Sequence, residues 1–230
     1  MKIMKRKLFE HKEIDLGYED LNAETGPTGR KYLGPNGVSY PSVTTVLSIL
    51  SEEHIQAWRA RVGEEEANKI SHRASTRGTA VHSIIEKYIN NEEDFAEGFM
   101  PNILDNFMSV RPVLDDRIGS IYAQEVALYS DHLGLAGRVD CIGMFDGRLS
   151  VIDFKTSKKL KKKEWIEGYF IQETAYAIMW EERTSVPIKQ LVVCIAGDEG
   201  PQVFIEDRDN WTKELINTIN EYKRRKLFGR

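Results

Sequence analysis

Cysteine is scarce in this chain of 230 residues, which contains only Cys141 and Cys194. Both lie in segments that we predict to be strands, so we expect reduced thiols in the core of a cytosolic protein. Two cysteines are also too few for an iron–sulfur cluster held by four thiolates, and we predict no such cluster.

Long apolar runs are missing as well. No stretch approaches the roughly 18 apolar residues that indicate a membrane-spanning helix. Residues 1–13 are basic but lack the apolar segment of a secretory signal. We therefore expect a cytoplasmic location and no contact with a membrane.

The chain has no excess of positive charge, because its net charge is −4 at pH 7. No overall field attracts nucleic acid, so any such binding must come from local basic patches. Five lysines between positions 158 and 163 form one candidate patch. A run of this kind is usually a solvated face, but beside a cleft it would follow a phosphate backbone and release counterions.

Residues 137–156 carry the strongest local pattern, GRVDCIGMFDGRLSVIDFKT. They predict two strands joined at Asp146-Gly147, since both central residues of a two-residue hairpin turn need a positive φ. Such a turn places Asp140 opposite Asp153. Like charges in that position destabilise a strand pair, so another interaction must compensate for the repulsion between Asp140 and Asp153.

Lys155 lies diagonally across from Asp140 in the same register, so two carboxylates and one ammonium would share a small volume. Carboxylates are the ligands that Mg²⁺ and Mn²⁺ prefer. A metal with a neighbouring cation suits the hydrolysis of a phosphodiester. The competing interpretation is an ordinary hairpin with Asp140, Asp153 and Lys155 on its solvent face.

Three motifs resemble those of the PD-(D/E)XK nuclease superfamily, in its RecB-like branch with a Q-x-x-x-Y signature. They are Gly137-Arg-Val-Asp140, Asp153-Phe-Lys155 and Gln172-Glu-Thr-Ala-Tyr176. Asp-x-Lys alone is common, whereas all three motifs in this order and spacing are specific. The resemblance implies that Asp140, Asp153 and Lys155 are catalytic.

An upstream segment extends the resemblance. Arg77-Gly-Thr precedes His82 and Glu86 in a pattern, R-G-T-x-x-H-x-x-x-E, that resembles the first motif of the same branch. There the histidine binds metal. The resemblance thus implies a metal site formed by His82, Asp140, Asp153 and the carbonyl oxygen of Phe154. A histidine at the edge of an apolar helix face is otherwise most often a plain boundary residue.

Two further carboxylates are candidates for the second shell of the metal. Glu86 either orients the imidazole of His82 or makes an ordinary contact one helical turn away. Glu125 lies in a predicted strand over 121–129 and would approach the metal if its face points to the site. A strand glutamate that is paired or solvated is the alternative.

The candidate contacts with nucleic acid are Gln172, Tyr176, Arg77, Lys158 and Lys159. Gln172 and Tyr176 share one face of a predicted helix over 164–183 with Trp165. The resemblance implies that both contact the strand near the scissile phosphate and support the hairpin. An amphipathic core helix with one satisfied amide is the alternative. Arg77 either binds phosphate oxygens or lies on a solvated surface.

The N-terminal part predicts a small hairpin from residues 30–33 and 38–40, a helix that begins after Ser42 as its N-cap, and a helix over about 53–70. The segment YPSVTTVLSIL, followed by a helix with Trp58 and Arg59, is similar to the N-terminal part of the mitochondrial genome maintenance exonucleases and their phage and bacterial relatives.

We predict an α/β fold with a restriction-endonuclease-like core, in which helices flank a central mixed β-sheet next to an N-terminal helical region. No internal repeat or long linker interrupts the chain, so one nuclease domain over 1–230 is favoured. Within it, 1–70 would form the helical and flap region and 71–230 the core.

The predicted function is a DNA exonuclease that depends on Mg²⁺ or Mn²⁺ and hydrolyses single-stranded DNA with one or two metals in DNA replication, repair or recombination. DNA is the expected partner, and its single-stranded form is what the resemblance implies. The alternatives are a structure-specific endonuclease of the same fold, a non-catalytic nucleic-acid-binding module, and a phosphodiesterase for small molecules.

Overall fold

The computed structural model describes residues 6–229 and contains two sheets and six α-helices within that range. The helices are α1 (Val43–Leu47), α2 (Glu52–Val62), α3 (Glu64–Ile89), α4 (Pro101–Arg117), α5 (Glu167–Thr184) and α6 (Thr212–Phe228). The strands are β1 (Ala23–Gly26), β2 (Gly29–Leu33), β3 (Ser39–Pro41), β4 (Ile118–Ser130), β5 (Leu135–Phe145), β6 (Arg148–Ser157), β7 (Gln190–Gly197) and β8 (Gln202–Asp207). None of these helices is long and apolar enough to cross a bilayer.

The central sheet has five strands in the order β4-β5-β6-β7-β8. Neighbours are antiparallel except β6 and β7, which are parallel and connected through α5. Such a parallel pair needs a crossover of a dozen or more residues, usually a helix. The predicted α/β fold with a mixed sheet flanked by helices is confirmed.

Helices cover both faces of this sheet. Val151 packs on one face with Trp180 of α5, and the next residue, Ile152, packs on the other with Phe107 of α4. Strands buried on both faces carry nearly continuous apolar runs. Odd and even positions of β6 are therefore both buried, as Val151 and Ile152 show.

The central hairpin forms as predicted. Asp146 and Gly147 have φ values of 49° and 77°, and the register runs from Phe145 opposite Arg148 to Cys141 opposite Ile152. Beyond Cys141 the ladder ends. The residues that follow in the same register, Asp140 and Asp153, lie beyond this ladder, and Asp153 is paired on its other side with Val193 of β7.

The helical region differs from the prediction in where it is interrupted. We expected one helix to end near residue 70, but the break lies at Gly63, whose φ of 91° suits glycine. From Glu64 the helix α3 continues through Gly78 to Ile89. The predicted apolar stripe is buried on it: Val81, Ile84, Ile85, Tyr88 and Ile89. The boundary expected between residues 70 and 71 falls inside this helix.

A small antiparallel sheet of β1, β2 and β3 precedes α1. It includes the expected hairpin, and its Tyr32 and Tyr40 pack with Ala136 of β5. Ser42 caps α1 as predicted, because its hydroxyl accepts a hydrogen bond from the Thr45 N–H at 3.0 Å. This sheet therefore supports the strand that carries Asp140.

Candidate active site

Asp140 lies near the middle of β5, where three elements meet. Its Oδ2 accepts a hydrogen bond from the Phe154 N–H of β6 at 2.9 Å. The same oxygen is 3.4 Å from Nδ1 of His82, which α3 holds above the sheet. The prediction that His82 and Asp140 share one site is thus consistent with their placement. Phe154, expected to contribute its carbonyl oxygen, meets Asp140 through its N–H.

Asp153 is buried beside Asp140, with 2% of its surface exposed. Both oxygens of its carboxylate lie 2.5 Å from Nζ of Lys155, and Gln172 of α5 donates to Oδ1 at 3.1 Å. Burial raises the pKa of Asp153 to about 6, against the opposing effect of the Lys155 ammonium. Asp153 therefore stays ionised at neutral pH with the help of its partner.

Lys155 stays charged in this environment. Burial alone would lower the pKa of its ammonium, but the carboxylates of Asp153 and Asp140 raise that pKa above its ordinary value. The Nζ atom also lies 5.1 Å from the centre of the Tyr169 ring, a distance at which a cation and an aromatic face attract each other. The site thus holds a fixed positive charge beside two acids.

Glu125 enters the same group from β4. It lies between Gln124 and Val126, whose partners on β5 are Cys141 and Val139, so it stands opposite Asp140. Its φ of 50° is left-handed, which is unusual for a residue inside a strand.

Arg138 stabilises this local backbone, because its guanidinium donates to the Glu125 carbonyl and pairs with Asp20. Burial, together with the carboxylates of Asp140 and Glu86, raises the pKa of Glu125 to about 7. A divalent cation would relieve that repulsion. The sequence contains no local signal for the left-handed residue, and the role of Arg138 was not predicted.

His82, Glu125 and Asp140 form a group that can hold a metal ion. Each offers one ligand atom, and these atoms all lie within 4.8 Å of one another. One imidazole and two carboxylates suit a divalent cation of the Mg²⁺ or Mn²⁺ type. The set of ligands predicted from the sequence was different: it included Asp153, and it placed Glu125 behind the ligands rather than on the metal. Here Lys155 and Gln172 already engage the Asp153 carboxylate.

Glu86 lies one helical turn after His82 and acts on the site through its backbone as well as its charge. Its carbonyl accepts a hydrogen bond from Nε2 of Gln124 at 2.9 Å. This bond ties α3 to β4 directly before Glu125. Glu86 thus helps to hold the histidine and the glutamate together.

Tyr176 is buried rather than presented to a ligand, with 3% of its surface exposed. Its ring packs on Gly137, where an added Cβ would lie 2.9 Å from both Cε1 and Oη of the tyrosine. The packing provides the expected support of the hairpin, and the expected contact of Tyr176 with nucleic acid stays a prediction for a ring that is buried here. Gln172, its neighbour one turn away, faces the site.

Arg77 was expected to bind phosphate, but its guanidinium is already engaged. It donates to Asn106 at 2.9 Å and to both oxygens of Asp198, the shorter distance being 2.5 Å. It also donates to the Ser157 carbonyl at 3.3 Å. The arginine therefore joins α3 to α4 and to the ends of β6 and β7, which explains a charged residue there without a ligand.

The basic run after β6 is exposed. Lys158 and Lys159 point to solvent, whereas Lys163 forms an ion pair with Glu206. The run begins three residues after Lys155, so it follows the candidate site directly in the sequence.

Glu173 is a buried acid that the sequence did not predict as part of this region. It is fully buried on α5, and neither of its carboxylate oxygens has a hydrogen-bond partner in the described part of the chain. Burial, reinforced by Asp153, raises the pKa of Glu173 well above its ordinary value. Burial thus favours the neutral form of this carboxyl group behind Asp153.

Comparisons with known proteins connect the chain with nucleases. A family model described as "PD-(D/E)XK nuclease superfamily" matches residues 107–228, more than half of the chain. The chain is also similar to "Mitochondrial genome maintenance exonuclease 1" from Homo sapiens, with 26% identity over 206 residues that cover 81% of this chain and 59% of that protein.

Proteins of the same name from two other vertebrates match as well. The Xenopus tropicalis protein is 26% identical over 233 residues, which cover 90% of this chain and 63% of that protein. The Mus musculus protein is 28% identical over 131 residues, covering 54% and 38%. The chain thus spans less than two thirds of the length of these relatives.

Proposed function

Because the chain belongs to the PD-(D/E)XK nuclease superfamily, we propose that it is a deoxyribonuclease that depends on a divalent metal. One observation carries the proposal: the Lys155 ammonium contacts the buried carboxylate of Asp153, next to the group of His82, Glu125 and Asp140. Hydrolysis of a phosphodiester needs hard metal ligands and a cation close to the charge that develops on phosphate.

The donor set suits Mg²⁺ or Mn²⁺. His82, Glu125 and Asp140 would hold the ion, and Asp153 stands beside them with a pKa that burial has raised. When bound, such an ion lowers the pKa of a water molecule and polarises a phosphate oxygen. Crowded carboxylates are unfavourable without a cation, which supports this use of the site.

The remaining side chains position the reacting groups. We assign Lys155 to orient the attacking water and to offset charge on the phosphate. Asp153 holds the ammonium in place, and Gln172 fixes Asp153 by its hydrogen bond to Oδ1. Tyr176 supports β5 through Gly137, so the strand that carries Asp140 keeps its position.

We further propose that the enzyme is an exonuclease for single-stranded DNA that acts in DNA replication, repair or recombination. The similarity to proteins named exonucleases supports this choice. The exposed Lys158 and Lys159 would attract the phosphate backbone. An endonuclease of the same fold is the second candidate, favoured only if covalently closed circles are cut.

A non-catalytic binding module is less consistent with the site. The buried pair of Asp153 and Lys155 costs desolvation energy, and a module that only binds DNA has no use for it. Intact acids beside an intact lysine therefore favour catalysis.

The test is cleavage of end-labelled single and double strands with Mg²⁺, with Mn²⁺ and with EDTA. We expect metal-dependent shortening of linear single strands and slow cutting of circular ones. Asp153→Asn and Lys155→Ala should each lose most activity, because either change removes a charge at the reacting centre.

Two exposed positions give matched controls. Asp94→Asn and Lys189→Ala make the same kinds of change away from the site, and both variants should cleave as the wild type does. Cleavage that persists in EDTA, or full activity of Asp153→Asn and Lys155→Ala, would refute the proposal. Equal cutting of circular and linear strands would support the nuclease assignment but would show that the enzyme is an endonuclease rather than an exonuclease.

A further inference from the structure

Trp165 lies on the surface just before α5, although the sequence suggested that it shares the inward face of that helix. Its exposed fraction is 64%. The residue ends a short 3₁₀ turn over Lys163–Trp165, and its N–H donates to the Lys162 carbonyl at 3.0 Å. The following residue, Ile166, is buried, so the backbone is fixed while the indole is left in solvent.

A cation lies over the exposed ring. Nζ of Lys162 is 5.5 Å from the ring centroid of Trp165, and Lys158 and Lys159 are exposed in the same loop. An exposed indole with one ammonium over its ring, in a loop that carries further exposed lysines, is suited to a ligand that combines flat aromatic groups with negative charge.

The segment after Trp165 leads along the chain to the candidate active site. Tyr169 follows Trp165 by four residues, and its half-exposed ring lies 5.1 Å from Nζ of Lys155. Gln172, a further turn along α5, donates to Asp153. Only four residues of backbone thus separate the exposed indole from an aromatic ring that lies beside the Lys155 ammonium.

We propose that Trp165 is a stacking platform for an unpaired base of single-stranded DNA whose backbone continues past Tyr169 to the site. This rests on the proposed nuclease function and deepens it by assigning a residue that binds a base of the substrate outside the candidate active site. A base inside a duplex is already stacked on both faces, so only a single strand can place a base on the indole. Neighbouring lysines would then meet the phosphates.

The test measures binding in EDTA, where no cleavage occurs, by fluorescence anisotropy of a labelled oligothymidylate. Stacking of a base on an aromatic side chain is worth roughly 1–3 kcal/mol, so Trp165→Ala should weaken binding by about 5- to 140-fold. Trp165→Phe keeps an aromatic face and should recover most of the affinity. Leu160→Ala is the matched control, because Leu160 is 50% exposed in the same loop but has no aromatic face.

A second oligonucleotide separates stacking from charge. A strand of abasic residues keeps the phosphates but removes the bases, so wild type and Trp165→Ala should bind it equally. Equal binding of the abasic strand, together with weaker binding of oligothymidylate by Trp165→Ala, supports the proposal. If Trp165→Ala binds oligothymidylate as well as the wild type does, or if Leu160→Ala weakens it equally, the platform is refuted.

The two proposals fail in different ways. A wild type that cleaves single strands while Trp165→Ala retains full affinity refutes the platform and leaves the nuclease. A wild type that neither binds nor cleaves single strands refutes both. Loss of affinity for abasic and normal strands alike in Trp165→Ala also refutes the platform, because the tryptophan would then act through the loop and its lysines.

Discussion

Replacing Lys155 by Met should destabilise the metal-free protein in a way that depends on pH. The methionine keeps an apolar stem of similar length but leaves the Asp153 carboxylate buried without its ammonium. Breaking a buried ion pair by removing one partner costs about 3–5 kcal/mol. Because the lysine side chain is 21% exposed, we expect the lower end of that range, about 3 kcal/mol, at about pH 8.

The pH dependence follows from the pKa of Asp153. Burial has already raised it to about 6 with Lys155 present, and without that ammonium it rises further. A carboxyl group with a raised pKa in the folded state keeps its full contribution to stability below its unfolded pKa and loses it as the pH rises through the folded pKa. The penalty of Lys155→Met should therefore be small at about pH 5 and large at about pH 8.

The assay is urea unfolding, followed by tryptophan fluorescence, in a chelator at both pH values. Lys189→Met is the matched control, since Lys189 forms an exposed pair with Asp209 and should cost less than about 1 kcal/mol. Asp153→Asn added to Lys155→Met should restore much of the stability at the higher pH. An equal loss at both pH values, or a loss no larger than that of Lys189→Met, would refute the reasoning.

Three further changes test neighbouring parts of the account. Glu125→Gln should raise the melting temperature in a chelator, because it removes the repulsion between Glu125 and Asp140. The same change should abolish the stabilisation of the protein by Mn²⁺. If Mn²⁺ stabilised the variant as much as the wild type, Glu125 would not be a metal ligand. Gly137→Ala should lower the free energy of unfolding in urea by about 1–3 kcal/mol, because the new Cβ meets the Tyr176 ring. Gly168→Ala is the control: a Cβ added there has no atom within 4 Å, so this change should be neutral or stabilising. Arg77→Ala should cost about 1–3 kcal/mol, because it leaves the side-chain oxygen of the buried Asn106 without its donor. An unchanged unfolding midpoint together with weaker DNA binding would instead support the predicted phosphate contact.

Local rules predicted the central hairpin well. Asp146-Gly147 determines a two-residue turn, and the turn determines the register down to Cys141 opposite Ile152. The apolar stripe of α3 likewise follows from helical spacing. Each of these features depends on residues close in sequence, so periodicity and turn chemistry are enough to predict them.

Contacts between distant residues were harder to predict. Arg77 and Asp198 are 121 positions apart, and no local pattern indicates that they meet. His82 was assigned by resemblance rather than by periodicity. Alternation in β4 predicted which residues share a face with Glu125, but that this face lies opposite Asp140 depends on the register between β4 and β5, which the sequence of one strand does not give.

The exposure of Tyr176 and Trp165 also depends on packing. The helical wheel placed both residues on one face, but only Tyr176 is buried. The α-helix begins at Glu167, so Trp165 lies outside the periodicity and is exposed, while Tyr176 is covered by β5. A uniform spacing of 3.6 residues describes only the residues inside a helix. Helix boundaries thus limited the prediction of which aromatic residues face a ligand.

A crystal of the protein soaked with Mn²⁺ tests the central claim most directly, because anomalous scattering locates the ion and its ligands. The account predicts a peak in contact with His82, Glu125 and Asp140, beside the pair of Asp153 and Lys155. A soaked crystal without a peak in that group, or with the ion bound only elsewhere, would contradict it.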